Sequence, residues 1–375
     1  MVLFLNTKTD EPSQIWYGGN ALSRVYRGST QVWPRIWTDL RVTSTYYGLG
    51  GALIRESDKT MWVVGNNDYG CLGLGHESNI HRFALVPDAG PWKDVHVGYY
   101  RSWAVKTDGS LWYAGRVLSE GFLPAGKYQN WTRINAVSNV KSVACGFYSG
   151  DVAFFIRENG DVYGCGQMVS LAPELASTTS IINISGVIGG AEQIECNAEN
   201  MIVLKQNGSV WTSGRNANGL CGNGTTAYSD FQQIMTGVKQ VAACSYFFSI
   251  LKTDGTIWWC GQCPDGTTRT EFASAGISNV KKLYRNQNAL FLIKNNGELW
   301  NIGYNSYGEF GIGTSDDRHT SFIRTPDLLV DDIGGGYSVN YIRTTDGAIL
   351  SAGRNQWGQL AGGGTTTYKK VAYVW

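Results

Sequence analysis

Apolar and polar positions recur along this chain in one arrangement. An apolar run meets a basic residue and a short turn, then an apolar or aromatic pair closed by a small residue and Gly. One copy reads Ala104-Val105-Lys106-Thr107-Asp108-Gly109-Ser110-Leu111-Trp112 and ends at Gly115. Seven copies close at Gly65, Gly115, Gly166, Gly214, Gly261, Gly303 and Gly353, with spacings of 50, 51, 48, 47, 42 and 50 residues. Each copy predicts a β-hairpin. A regular period of this length, built only of strand signals, predicts a β-propeller.

The turn pairs are Asp108-Gly109, Asn159-Gly160, Asn207-Gly208, Asp254-Gly255, Asn296-Gly297 and Asp346-Gly347. Such pairs suit the positive φ values of a type I′ turn. The first copy has Asp58-Lys59-Thr60 instead, which predicts a looser turn. Beyond the turn, one slot holds Trp62, Trp112, Tyr163, Trp211, Trp258 and Trp300, with Leu350 in the last copy. Rings at these positions are expected to wedge between adjacent blades.

After the closing glycine, four copies continue with Asn67 and Gly70, Asn216 and Gly219, Asn305 and Gly308, and Asn355 and Gly358. Residues 208–222 and 347–361 carry the full pattern of turn Gly, closing Gly, Asn and Gly. Over roughly residues 37–375 the chain resembles the regulator of chromosome condensation repeat family. That resemblance implies an all-β, seven-bladed β-propeller with four strands per blade, here with a short N-terminal β-hairpin extension. The second, third and fifth copies lack the Asn and Gly. Their connections, 116–133, 167–190 and 262–276, are candidates for recognition loops on a rigid scaffold. The terminal run 368–375 reads as a strand, predicted to pair with the first blade, about 37–65, and close the ring.

Residues 1–36 stand outside the repeat as a separate segment. They hold a smaller duplication, Ile15-Trp16-Tyr17-Gly18-Gly19-Asn20-Ala21-Leu22 followed by Val25-Tyr26-Arg27-Gly28-Ser29-Thr30-Gln31-Val32-Trp33-Pro34. Each half predicts a minimal hairpin, too small to bury a core of its own. The segment is similar to a short motif near the ends of bacteriophage tail and baseplate proteins. The resemblance implies docking through Trp16, Tyr17, Tyr26 and Trp33.

Composition narrows the chemistry. Charged residues are 16% of the chain and glycines number 48, as suits strands buried on both faces. A net charge of +1 supplies no global attraction to nucleic acid or to a membrane surface. No run approaches the length of a membrane span, and Val2 to Leu5 is too short for the apolar core of a signal peptide. A chain made and kept in a cytoplasm until assembly is the expectation. Of eight cysteines, Cys145 and Cys196 share a strand slot with Val97, while Cys165 and Cys260 precede closing glycines. They read as small packed hydrophobes with reduced thiols. His76, His81, His96 and His319 have no metal or triad spacing, and no phosphate loop or nucleophile elbow occurs. The expectation is a non-enzyme without metal or cofactor.

Two sets of residues remain as binding candidates. A basic residue precedes each turn, at Arg55, Lys106, Arg157, Lys205, Lys252, Lys294 and Arg343, and a ring would gather them into a collar for anionic groups. The plainer reading is a cation capping each strand end. Aromatic loop residues, Tyr99, Tyr100, Arg101, Phe147, Tyr148, Tyr246, Phe247 and Tyr337, fall at one point of the repeat and offer anchors for a partner. The leading expectation is a virion protein of a phage tail or baseplate. Its propeller would bind a protein or glycan receptor on the host surface, its N-terminal segment would dock on tail proteins, and self-association in the virion is open. The alternative is a regulatory or inhibitory protein-binding propeller, like nucleotide-exchange factors or inhibitors.

Overall fold

A computed structural model describes the strand backbones Ile15–Tyr17, Asn20–Leu22, Val25–Arg27 and Thr30–Trp33. It then describes residues 40–42 and 50–374 apart from 89, 99, 146–151, 363 and 372, with 373–374 as backbone alone. The second repeat shows the plan. Strands Trp92–Val97, Arg101–Lys106, Leu111–Val117 and Gly126–Ile134 form one antiparallel sheet in chain order. The third, fourth and fifth repeats form four-stranded sheets of the same order, starting at Val140, Ala191 and Val238. The fourth strand of the sixth repeat runs on without a break as Arg318–Gly335 to become the first strand of the seventh. The middle strands, such as Asn200–Lys205 and Met61–Gly65, are buried almost throughout. Fourth strands such as Gly126–Ile134 face water along much of their length. The low charge content follows from that burial.

Successive repeats pack face to face, and every large apolar cluster joins two of them. Phe154 and Ile156 of the third repeat meet Ile194, Met201 and Val203 of the fourth. Val339 and Tyr341 of the seventh meet Leu40, Leu53 and Trp62 of the first. The last repeat thus packs on the first, and Gly51 is needed there because a side chain would overlap the Tyr341 ring. The end of the chain divides its pairing: Lys369–Lys370 lies beside Ile349–Gly353 as the last strand of the seventh repeat. Tyr373–Val374 then runs parallel to Ile80–Leu85, at the outer edge of the first sheet. The N-terminal duplication forms two separate hairpins, Ile15↔Leu22 and Val25↔Trp33.

The turns differ from the type I′ expectation. Lys106 N–H bonds to Ser110 O at 3.0 Å and Gly109 N–H to Lys106 O at 2.9 Å. Gly109 has φ +76°, whereas Asp108 is not left-handed. This is the three-residue loop, a type I turn ending in a left-handed Gly. The carboxylate of Asp108 accepts the Ser110 N–H at 2.9 Å, and Asn207 and Asp254 do the same for Ser209 and Thr256. That local bond favours an ordinary negative φ at the Asx position. In the first repeat Lys59 takes the left-handed place, with φ 58°.

The Asn-x-x-Gly loops have one construction. Asn67, Asn216, Asn305 and Asn355 each accept the N–H five residues on, at 2.8–3.0 Å. The folded loop then lies over the fourth strand of the next repeat. Gly75 and Gly224 donate to Gln129 and Thr270 there, and Gly313 donates to Thr366, just ahead of Lys369–Lys370. Free thiols fill packed positions; burial pushes Cys71 and Cys221 up to about 12, so neither supplies a thiolate. Among the described residues, no cluster of His, Cys, Asp and Glu could hold a metal, and no helix is long and apolar enough to cross a membrane.

Candidate interaction surface

All second strands run the same way, so the tight turns gather at one end of the repeats. The connections that follow the closing glycines, such as 118–125, gather at the other. At the turn end the basic residues lie on aromatic rings. Lys106 Nζ stands 4.0 Å from the Trp112 centroid, Lys205 4.3 Å from Trp211, Lys252 4.9 Å from Trp258 and Lys294 5.3 Å from Trp300. Arg157 Cζ stands 5.9 Å from Tyr163. The indole N–H groups bond back to Ser110, Ser209, Thr256 and Glu298 just past each turn. These rings are half-buried: each packs against a cluster that joins two neighbouring repeats, as expected, and also serves as a platform for a cation. Trp62 and Leu350 are the buried members of the slot. Trp103 and Phe155 meet more deeply between the second and third repeats, with centroids 4.8 Å apart.

Arg343 does not belong to this ring. Trp92 pairs with Lys106, and the equivalent Val330 pairs with Thr344, so Thr344 fills the basic slot. One residue of offset turns a strand side chain to the opposite face. Arg343 accordingly donates to Leu40 O at 3.0 Å and pairs with Asp331. The sequence count missed this because it read adjacency to the turn without the cross-strand register.

At the opposite end, apolar surface collects. Tyr100, Leu118, Val169, Tyr228, Tyr246, Tyr304 and Tyr307 are exposed there, against Leu85 and Leu329 at the turn end. Several of these rings carry cations: Arg318 Cζ is 5.7 Å from the Tyr304 centroid and Arg354 Cζ 5.1 Å from Tyr307. Tyr69 packs edge-on to Tyr100 at 4.9 Å, with Arg116 Cζ 5.7 Å away.

First strands from all seven repeats line one central cavity of about 320 Å³. Polar side chains tie neighbouring strands across it. Gln193 bonds both N–H and C=O of Val241, and Gln240 does the same for Leu283, at 2.6–3.1 Å. Arg41 pairs with Asp94 at 3.9 Å, and Lys282 with Asp332. Arg285 of the sixth repeat grips Glu195 of the fourth through Nη2 at 2.6 Å and Nε at 3.2 Å. Burial, with Arg285 adding to it, holds His96 down to about 3, so its imidazole is neutral. Burial raises Asp94 despite Arg41. The cavity is braced by ion pairs and amides, and among the described residues it holds no arrangement of nucleophile, base and orienting group.

No family model matches the chain. Among solved structures it is similar to Prp20p from Saccharomyces cerevisiae, with 13% identity and a TM-score of 0.69 over 89% of this chain and 88% of that one. It is also similar to yeast RCC1 (Prp20) bound to Kap60, with 14% identity and a TM-score of 0.68 over 93% and 90%. Human WBSCR16 gives 19% identity and a TM-score of 0.65 over 80% and 85%. The fold is an RCC1-like β-propeller.

On this RCC1-like propeller the two candidate sets lie at opposite ends. Tyr100 and Tyr246 are exposed, 41% and 52% accessible. Phe247 is buried in the core cluster of the fifth and sixth repeats, so it is a packing residue. Its alternate strand position points inward. Arg101 is half-buried at a crevice between the second and third repeats, and Tyr337 lies at the rim of the central cavity. Tyr99, Phe147 and Tyr148 lie outside the described residues, as do the side chains of Trp16, Tyr17, Tyr26 and Trp33. Sequence reading missed Tyr304, Tyr307, Arg318 and Arg354. A signal existed: Tyr304 directly follows a closing glycine, and Tyr69 and Tyr307 precede the Gly of Asn-x-x-Gly.

Proposed function

We propose that this chain is a protein-binding propeller of regulatory type, without catalytic activity of its own, that recognises its partner through the loop end. One observation carries the reading: among the described residues, seven exposed large apolar side chains, five of them tyrosines, share that end, with two at the other. Tyrosine and arginine supply rigid, amphipathic contact area, and such residues dominate binding hot spots. The fold likeness to Prp20p adds support, since that protein's structure was determined with its binding properties to Gsp1p and histones. Here the partner is identified only by chemistry, as a protein surface. The test is crosslinking in the native host, with a Tyr100→Ala/Tyr246→Ala/Tyr307→Ala variant and a Leu329→Ala control at the turn end. Capture of one partner by wild type and control, lost in the triple variant, is expected. Retention by the triple variant refutes the reading.

The second reading is attachment of a phage tail to its host, in which the loop end would meet a surface receptor. Its support is the pair of hairpins, Ile15↔Leu22 and Val25↔Trp33, found ahead of the repeats where the tail-like motif lies. Removing residues 1–36 should then abolish incorporation into tails and spare binding to host cells. Unchanged incorporation would rule it out.

A further inference from the structure

Two crevices between repeats stand open among the described residues, and the loops explain where. The Asn-x-x-Gly loops of the first, fourth, sixth and seventh repeats lie on the next repeat's outer strand. A methyl at Gly70, Gly219, Gly308 or Gly358 would strike Gln129, Thr270, Thr366 or His81. The third repeat has lost the motif but fills the same space with Met168, Leu171 and Leu175, and Ser213 Oγ donates to Leu171 O at 2.7 Å. The second repeat reaches the third only through Phe122, whose N–H donates to Thr179 O at 3.1 Å, and the fifth makes no such reach. Crevices of about 500 Å³ and about 310 Å³ stand after them. After the fifth, the connection is a tight turn over 263–267, with Cys263 N–H bonded to Thr267 O at 2.8 Å, too short to reach across. This is also the repeat with the shortest spacing, 42 residues.

The geometry points to the crevice between the fifth and sixth repeats as a subsite for an acidic residue of a bound peptide. It rests on the reading of the loop end as a protein-binding surface. Among the described residues, Arg318 is the one charged residue lining this crevice. Its Nη2 donates to Cys263 O at 2.9 Å and Pro264 O at 3.0 Å, which fixes the guanidinium. Its remaining N–H groups have no other hydrogen-bond partner among the described residues. A planar, anchored guanidinium matches a carboxylate, and such charge-assisted bonds are about twice as strong as neutral ones. Tyr246 and Tyr304 flank the opening, both exposed, and offer ring faces to the chain on either side of the carboxylate. Asn288 Oδ1 is buried at the same crevice without a hydrogen-bond partner among the described residues. A peptide N–H satisfies that acceptor, and a bare anion does not. Carboxylate and N–H together select an acidic residue within a peptide.

The probes are N-acetyl-Gly-Glu-Gly-amide, its Gln analogue and methyl glucoside, each titrated into the full chain and read by saturation-transfer NMR. The Glu peptide should bind about tenfold more tightly than the Gln peptide, and Arg318→Gln should erase that preference. Equal binding of both peptides, a preference surviving in R318Q, or tighter binding of the glucoside overturns the assignment. Should the melting curve show R318Q unfolded, a nitroxide on the Glu peptide decides. Line broadening at Tyr304 and Gln262 supports the subsite, and broadening elsewhere refutes it. No partner protein enters this assay, so its failure is distinguishable from failure of the loop-end reading.

Discussion

Replacing Glu309 by Gln should stabilise the propeller at alkaline pH and leave it unchanged in acid. Glu309 is 3% exposed between the sixth and seventh repeats, and its Oε2 accepts the Tyr307 N–H at 3.0 Å. The equivalent position of the seventh repeat is Gln359, whose Oε1 accepts the Trp357 N–H at 2.7 Å. A neutral amide therefore makes the same bond in the same setting. No cation pairs with Glu309 among the described residues. Burial pushes its carboxyl from 4.5 up to about 7, outweighing the bonds from the backbone and Ser338. The folded state then binds more protons than the unfolded chain between these values, so stability falls as pH rises through the window. At 1.36 kcal/mol per unit, ionisation costs about 3 kcal/mol once pH is above the folded pKa. Urea unfolding at about pH 4.5 and about pH 8 measures this, with an unchanged m-value as control. E309Q should match wild type within roughly 0.5 kcal/mol at the lower pH and exceed it by about 2–3 kcal/mol at the higher. An equal difference at both pH values, or a loss of stability at the higher one, refutes the buried-charge argument.

Three other perturbations test the packing. Gly73→Ala should cost about 2–4 kcal/mol in chemical denaturation, because a methyl there meets the Trp131 indole at φ +68°; Gly186→Ala, in open space, should stay within about 0.5 kcal/mol. A double-mutant cycle on Lys252 and Trp258, 4.9 Å apart, should return about 0.5–1 kcal/mol of coupling that survives high salt, whereas zero coupling would favour a solvated collar of cations. Deleting residues 371–375 removes Val371 from the cluster joining the seventh and first repeats and takes the parallel strand off Ile80–Leu85, so the melting temperature should fall by several degrees; an unchanged value would deny that the chain end helps to hold the ring.

The chain's own letters determined the hairpins. Apolar runs, an Asx-Gly turn and a closing glycine are local features, and all seven hairpins, from Gly50–Arg55 with Met61–Gly65 to Val339–Thr344 with Ile349–Gly353, pair as that pattern demands. The Asn-x-x-Gly loops were legible for the same reason, since each Asn bonds five residues along its own chain. Tertiary structure decided the rest. Whether a basic residue joins the ladder or turns away depends on cross-strand register, which separates Thr344 from Arg343. Whether an aromatic ring is an anchor or core depends on the neighbouring repeat, which buries Phe247 and leaves Tyr246 in water. The open crevice beside Arg318 exists because one repeat's short turn fails to cover the next. Contacts between residues some forty or more positions apart are set by how sheets stack, and strand patterning within one repeat carries no record of them.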